Sequence, residues 1–131
     1  MVNDPIGDMF TRIKNAGRAR KHAATFSYSK IKMDIAKLLE KRGLVGEIAK
    51  RGKKNRRNIE TVLLYDMSGA SKISEIRRVS KPSRRIYNGW RELKPLKGGM
   101  GLYIISSPVG LIDDTQARKL KVGGEVLGEV W

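Results

Sequence analysis

Asp113 and Asp114 are the only adjacent carboxylates in the sequence, and a pair of acids is the first arrangement to weigh for acid–base chemistry. Neighbours at a helix start point apart, so this pair suits capping and dipole complementation better than shared proton transfer. His22 is the single histidine; no carboxylate or second histidine stands at ligand spacing, and it reads as an exposed polar residue or a phosphate contact. Gly98-Gly99-Met100-Gly101 precedes an apolar stretch, and no Gly-Lys-Ser or Gly-Lys-Thr follows, so a tight turn fits it better than a phosphate cradle. Cysteine is absent, which excludes thiol nucleophiles, disulfides and cysteine-ligated zinc, and one histidine leaves a multi-histidine metal site without ligands.

Two other groups carry more chemistry. Residues 50–58 hold Lys50, Arg51, Lys53, Lys54, Arg56 and Arg57 between two apolar runs, the densest positive patch in the chain. So many like charges at a hairpin tip repel one another unless an anion is near, which points to phosphate contact. Ser106-Ser107-Pro108-Val109-Gly110 ends one strand candidate and reads as a turn just before a helix start. Its short hydroxyls can bond phosphate, ribose or base edges with little side-chain entropy to lose. Tyr87, Trp90, Tyr103 and Trp131 fall at strand-like positions, where aromatics mostly serve as core and one or two can stack on a base.

The elements that must position these residues follow from periodicity. Asp4 can cap and Pro5 can start a helix over 4–20, with Ile6, Met9, Phe10 and Ile13 on one face and Arg12, Lys14, Arg18, Arg20 and Lys21 off it. An extended piece at 25–28 leads to Ser29, the cap of a second helix carrying Ile31, Ile35, Leu38 and Leu39 and closed by Gly43. Strands are expected at 44–49 and 59–65, and turn chemistry at 66–71 marks a boundary between an N-terminal subdomain, 1–68, and a C-terminal one, 69–131. Beyond it, strands are expected at 73–79, 84–87, 102–107 and 125–131, with one helix from Asp113 or Asp114 to about Lys121.

The chain has 131 residues, enough to bury a core without metal or disulfide. Lys and Arg number 28 against 13 Asp and Glu, a net charge of +15, while 40% hydrophobic residues mark a folded chain rather than a basic tail. A polyphosphate partner is expected. The first residues, Met-Val-Asn-Asp-Pro, lack the charge and apolar run of a signal peptide, and no stretch approaches the length of a membrane span, so residence in the cytoplasm is expected.

Five motifs in register then resemble small-subunit ribosomal protein 8 of the bacterial type (the uS8 family). They are Asp4-Pro5-Ile6-Gly7-Asp8-Met9 with Thr11-Arg12-Ile13-Lys14-Asn15-Ala16; Ser80-Lys81-Pro82-Ser83-Arg84-Arg85-Ile86-Tyr87; Gly99-Met100-Gly101; Ser106-Ser107-Pro108-Val109-Gly110; and Ala117-Arg118 with Gly123-Gly124-Glu125. The resemblance runs the length of the chain. It implies a two-part α+β fold, an αβαββ-like N-terminal half and a mainly β C-terminal half with one short helix. It also implies a structural constituent of the small ribosomal subunit, not an enzyme, which binds a central-domain stem of 16S rRNA with an irregular internal loop and helps nucleate platform assembly. Small-subunit proteins 5 and 12 are the neighbours it implies, and repression of its own messenger is a further family trait. No cofactor, metal, membrane or small-molecule substrate is expected.

The family's Ser-Thr-Ser-x-Gly loop falls on Ser106, Ser107, Pro108 and Gly110, its tyrosine on Tyr87 and its glutamate on Glu125. Ser107 keeps the hydroxyl of the usual threonine, Pro108 lacks both hydroxyl and N–H, and Ser83 stands where glycine is frequent. Arg12, Lys14, Lys30, Lys32, Lys53, Lys54, Arg56 and Arg57 are expected to hold phosphates, and Arg84 and Arg85 are also expected to bind RNA. The main rival is a general DNA-binding or architectural protein, since positive charge does not distinguish nucleic acids; a small hydrolase using Asp113 and Asp114 is the other.

Overall fold

In the computed structural model, which describes residues 4–131, the helical spacing of Met9, Phe10, Ile13 and Ala16 becomes α1 (Pro5–Arg18), with those four side chains buried. β1 (Ala23–Ser27), α2 (Lys30–Lys41), β2 (Val45–Arg51) and β3 (Asn58–Leu63) follow, the αβαββ order expected. The strands form an antiparallel sheet in the order β1-β3-β2, with a bulge in β2 between Val45 and Ile48. Ser29 caps α2 by accepting from the Lys32 N–H at 3.3 Å, and Leu44 N–H to Leu39 C=O closes the helix just past Gly43. Phe26, Ile35, Leu39, Val45 and Ile59 supply the large side chains of this core.

Arg20, after the last turn of α1, sits in the left-handed region at φ +55°. For a residue with a Cβ that conformation costs about 1–2 kcal/mol.

The C-terminal part contains β4 (Ile76–Arg78), β5 (Tyr87–Asn88), 3-10 turns at Trp90–Glu92 and Leu96–Gly99, β6 (Leu102–Ser107), β7 (Gly110–Asp113), α3 (Asp114–Leu120) and β8 (Gly124–Val130). The sheet runs β4-β8-β6-β7, all antiparallel, and β5 also pairs with β8. Leu93, Ile105, Ile112, Ala117 and Val126 form a buried cluster. The strand expected at 73–79 is reduced to Ile76–Arg78 and that at 84–87 to Tyr87–Asn88; between them Lys81 and Arg84 exchange both backbone hydrogen bonds, 2.9 Å each, and turn the chain at Pro82. Ser83 in this turn is not at positive φ, so its missing glycine carries no strain.

Two compact units result: Asp8–Ser74, and Glu75–Trp131 with the described residues up to Gly7. Within the second, the largely buried Arg78 guanidinium pairs with Asp4 at 3.1 Å and donates to the Leu127 carbonyl at 2.6 Å. The boundary near 68 and 69 drawn from the sequence lies six residues before this division, inside a turn in which Asp66 accepts from Ser68 and Ala70.

Both candidate acids of the hydrolase rival have structural partners. Asp113 forms a capping box with Gln116, accepting its N–H at 2.8 Å. Asp114 is buried, accepts the Tyr103 N–H at 3.0 Å and pairs with Arg118 at 2.8 Å. No helix is long and apolar enough to cross a membrane, and no group of metal-ligating side chains occurs among the described residues.

Lys32, expected to hold phosphate, is corrected by its burial. The ammonium turns inward from α2 and donates to Ser27 Oγ at 2.8 Å, so it is not presented to a ligand. Burial lowers its pKa from the ordinary 10.5, with nearby Asp8 opposing and Arg12 reinforcing the shift.

Below its ordinary pKa the unfolded lysine therefore binds more protons than the folded one, and wild-type stability should rise as pH climbs toward 10.5. Lys32→Met should be as stable as wild type or more so at pH 7, with the difference narrowing toward that value; a pH-independent difference in urea unfolding would contradict this. Asp114→Ala, which strands Arg118 and the Tyr103 N–H, should lower stability by about 3 kcal/mol without affecting ligand affinity of the folded fraction, measured by unfolding and binding in parallel.

Candidate nucleic-acid interface

Cross-strand register assembles the C-terminal candidates. Tyr87 on β5 lies opposite Glu125 on β8, and Glu125 lies opposite Ser106 on β6. Directly opposed residues of antiparallel strands project from the same face. At about 4.8 Å per strand, the three span about 10 Å as a row of ring, carboxylate and hydroxyl. The next rung, Val126 and Ile105, faces the buried cluster instead. Ile104 and Leu102, which share the Ser106 face of β6, are buried as well, so the row lies at the accessible end of a sheet that is covered on both faces further along.

Tyr87 is 68% exposed, the only one of the four aromatics considered for base stacking that stands out as an exposed large side chain. Trp131 is half-buried, with Lys97 Nζ 4.7 Å and Arg77 Cζ 4.9 Å from its ring centre. Tyr103 packs against the core, where burial and the nearby Glu129 and Asp114 raise its pKa. Trp90 lies in a 3-10 turn with Arg91 over its ring.

Glu125 is held from two sides. Ser80 Oγ donates to its Oε2 and accepts the Ile86 N–H at 3.1 Å, and Arg85 approaches the same oxygen at 3.2 Å. Ser80 is fully buried and was missed by the sequence reading of individual site residues. Its signal was a small hydroxyl at the end of one strand run and before the Lys-Pro turn that leads to Tyr87.

The Ser106–Gly110 segment is a hairpin tip. β7 follows it directly, which corrects the expectation of a turn just before a helix: four residues, Gly-Leu-Ile-Asp, return antiparallel to β6 first. Ser107 Oγ donates to the Gly110 carbonyl at 2.8 Å and accepts the Val109 N–H at 3.2 Å, so its hydroxyl fastens the turn. Gly110, at φ +115°, supplies the backbone this tip requires. Pro108 and Gly110 are exposed, and Ser106 is half-buried with no side-chain hydrogen bond among the described residues.

The basic candidates lie in two places. Arg84 and Arg85 are exposed beside the row, Arg84 in the Lys81 turn. On the Asp8–Ser74 unit, Lys53, Lys54, Arg56 and Arg57 are exposed in the β2–β3 connection, as expected. The Tyr28 N–H donates to the Arg57 carbonyl at 2.9 Å, Lys50 lies 4.8 Å from the Tyr28 ring centre, and Ser27, Tyr28, Lys54, Arg56 and Arg57 line an open depression of about 640 Å³. Exposed Arg12 and Lys30 pair with Asp8 at 2.9 Å and Asp34 at 3.1 Å, one helical turn away. Such pairs contribute only about 0.3–0.5 kcal/mol, so a phosphate competes for the cation easily. Lys14 is half-buried at a depression beside the end of α1.

Between the two N-terminal helices lies β1, so they are not joined by the short turn of a helix-turn-helix. The Asp8–Ser74 unit carries exposed cations, and the other unit carries exposed Arg84 and Arg85 beside its row of ring, carboxylate and hydroxyl.

A family model described as Ribosomal protein S8 matches residues 4–131. The small ribosomal subunit protein uS8 of Helicobacter pylori strain Shi470 is 38% identical over 131 residues, covering 100% of both chains. That of Chlorobium phaeobacteroides is 43% identical over 130 residues, covering 99% of this chain and 98% of the relative. With an α+β fold of the expected order and a match across its described length, the chain belongs to the ribosomal protein S8 family and is a structural protein of the small ribosomal subunit, not an enzyme.

Proposed function

We propose that the protein binds the central domain of 16S rRNA at a stem with an irregular internal loop, and that the Tyr87–Glu125–Ser106 row reads the nucleotides displaced there. The observation that carries this reading is the shared rung that puts an exposed ring, a braced carboxylate and a half-buried hydroxyl side by side at the end of the sheet. A-form RNA closes its major groove to side chains, so specificity must come from the shallow minor groove, ribose hydroxyls and unpaired bases.

Tyr87 stacks on a displaced base. Ser106 donates to or accepts from ribose or a base edge, and Ser107 acts chiefly by holding the tip that carries Pro108 and Gly110. Glu125 accepts from a donor such as a 2′-hydroxyl or an exocyclic amine, a role that Arg85 makes tolerable near phosphates by opposing its charge. Arg12, Lys14, Lys30, Arg84 and the Lys53, Lys54, Arg56 and Arg57 patch supply phosphate contacts. In this role the protein helps nucleate the platform in the cytoplasm, beside small-subunit proteins 5 and 12, and a similar stem in its own messenger would make it a translational repressor.

The test is binding to the irregular central-domain stem against a fully paired RNA of equal length and a duplex DNA. Wild type should prefer the irregular stem strongly, and with about five phosphates neutralised the log–log salt slope should be about −3.5 to −4.5. Ser106→Ala should weaken the irregular stem by about five- to tenfold and leave the paired RNA unaffected. Ser80→Ala, which frees Glu125 without touching the ligand, should reduce the same preference; equal binding of wild type to all three nucleic acids would refute base and ribose reading.

A further inference from the structure

The end of α1 closes on itself through Arg20 N–H to Gly17 C=O at 3.2 Å and Lys21 N–H to Ala16 C=O at 3.0 Å. This closure puts an arginine at φ +55°, a position glycine or asparagine usually fills. The side chain that accompanies the strained backbone lies over the turn at 66–70: a Cβ built on Gly69 would stand 3.8 Å from Arg20 Cζ and Nη1. Backbone strain retained by a charged residue directs attention to what its side chain does.

Helix end and turn enclose a depression of about 290 Å³, lined by Lys14, Arg18, Arg20, Gly69, Ser71 and Ser74 among others. The helix approaches closely there, since a Cβ on Gly17 would meet Ser71 Oγ at 3.0 Å. Three cations and two hydroxyls line the depression, and no carboxylate does. Asp66, on the same turn, has its Oδ1 occupied by the Ser68 N–H, the Ser68 hydroxyl and the Ala70 N–H, which hold it below the ordinary carboxylate range. Among the described residues no ion pair engages Arg18 or Arg20. The negative end of the α1 dipole amounts to about half a charge and is outweighed by the two guanidinium groups of Arg18 and Arg20.

We propose that this depression takes the phosphate backbone of RNA through Arg18 and Arg20, with Lys14 and the Ser71 hydroxyl, as a contact that ignores base sequence. The proposal rests on the RNA-binding reading above and adds a phosphate site that the row of Tyr87, Glu125 and Ser106 does not supply. Guanidinium forks and hydroxyls match phosphodiester oxygens, whereas Ile73 is the one large apolar lining residue and no aromatic is present to stack a base. An acidic protein segment would need an apolar anchor at the centre of its interface, which the depression lacks.

The experiment compares salt dependence of binding for wild type and Arg18→Gln/Arg20→Gly, on both the irregular stem and a fully paired RNA. Arg20→Gly removes the guanidinium and gives φ +55° to the residue that adopts it most readily, so the thermal midpoint should stay or rise. Loss of two phosphate contacts should make the slope shallower by about 1.4–1.8 on both RNAs, with their affinity ratio unchanged. Arg18→Lys/Arg20→Lys should keep most of the slope. An unchanged slope in the double variant would overturn the proposal, and capture of a polyglutamate peptide by wild type but not the variant, with that slope unchanged, would reassign the depression to an acidic protein. Wild type that fails to distinguish the two RNAs would sink the base-reading proposal while leaving the slope comparison decisive for this one.

Discussion

The closeness of β8 to β6 at Gly124 is the constraint on which the C-terminal unit depends. A Cβ there would stand 2.1 Å from the Ser106 carbonyl oxygen, and one on Gly123 would stand 2.3 Å from that of Asn88. No larger residue fits either position without moving a strand. Because both edges of β8 are paired, with β6 on one side and β4 and β5 on the other, this approach fixes Tyr87, Glu125 and Ser106 at ordinary strand spacing. The same pairing aims Val126 and Ile105 into the core, so hydrophobic burial stabilises the geometry that the polar face presents.

Charge is managed by giving carboxylates structural partners. Asp4 holds Arg78, Asp114 holds Arg118, Glu129 holds Arg77 and Glu125 holds Arg85. The better buried of these ties, at Asp4 and Asp114, also brace backbone carbonyls through their arginines, at Leu127 and Leu93. Acids committed in this way neutralise cations inside the unit and leave a surplus outside. The net +15 is therefore concentrated in exposed side chains such as those of the β2–β3 connection, whose mutual repulsion a bound polyanion relieves.

Much of this was legible in the sequence. Ser29, the apolar period after it and Gly43 placed α2, and alternation bounded by glycines and serines placed β6 at 102–107. β7 was not legible: Gly-Leu-Ile-Asp is too short for periodicity, and its last residue is also the cap of α3, a signal that overshadows the strand. Lys32 looked like its exposed neighbour Lys30, yet its helical phase turns it to the core side, which composition cannot register. Ser80 and Ser107 illustrate the same limit for hydroxyls. One sequence pattern serves a ligand contact, a brace for a carboxylate or a turn fastener, and only the partner atoms distinguish these roles.

A negative side chain at the centre of the proposed RNA-reading row is its least expected feature, and in that reading it would separate affinity from discrimination. Cations on the Asp8–Ser74 unit attract any RNA, since phosphates repeat along every helix whatever its sequence. Glu125 does the opposite. It repels a phosphate and accepts only from a donor, so a duplex that presents backbone at the row is disfavoured, while an exposed hydroxyl or amine is favoured. Ser80 and Arg85 keep the carboxylate oriented, so it cannot swing aside to admit the wrong group without losing those bonds. Under the proposed RNA-binding reading, discrimination would rest on a group whose contribution to bare affinity is small or adverse, and whose position is secured by the buried hydroxyl of Ser80 behind it.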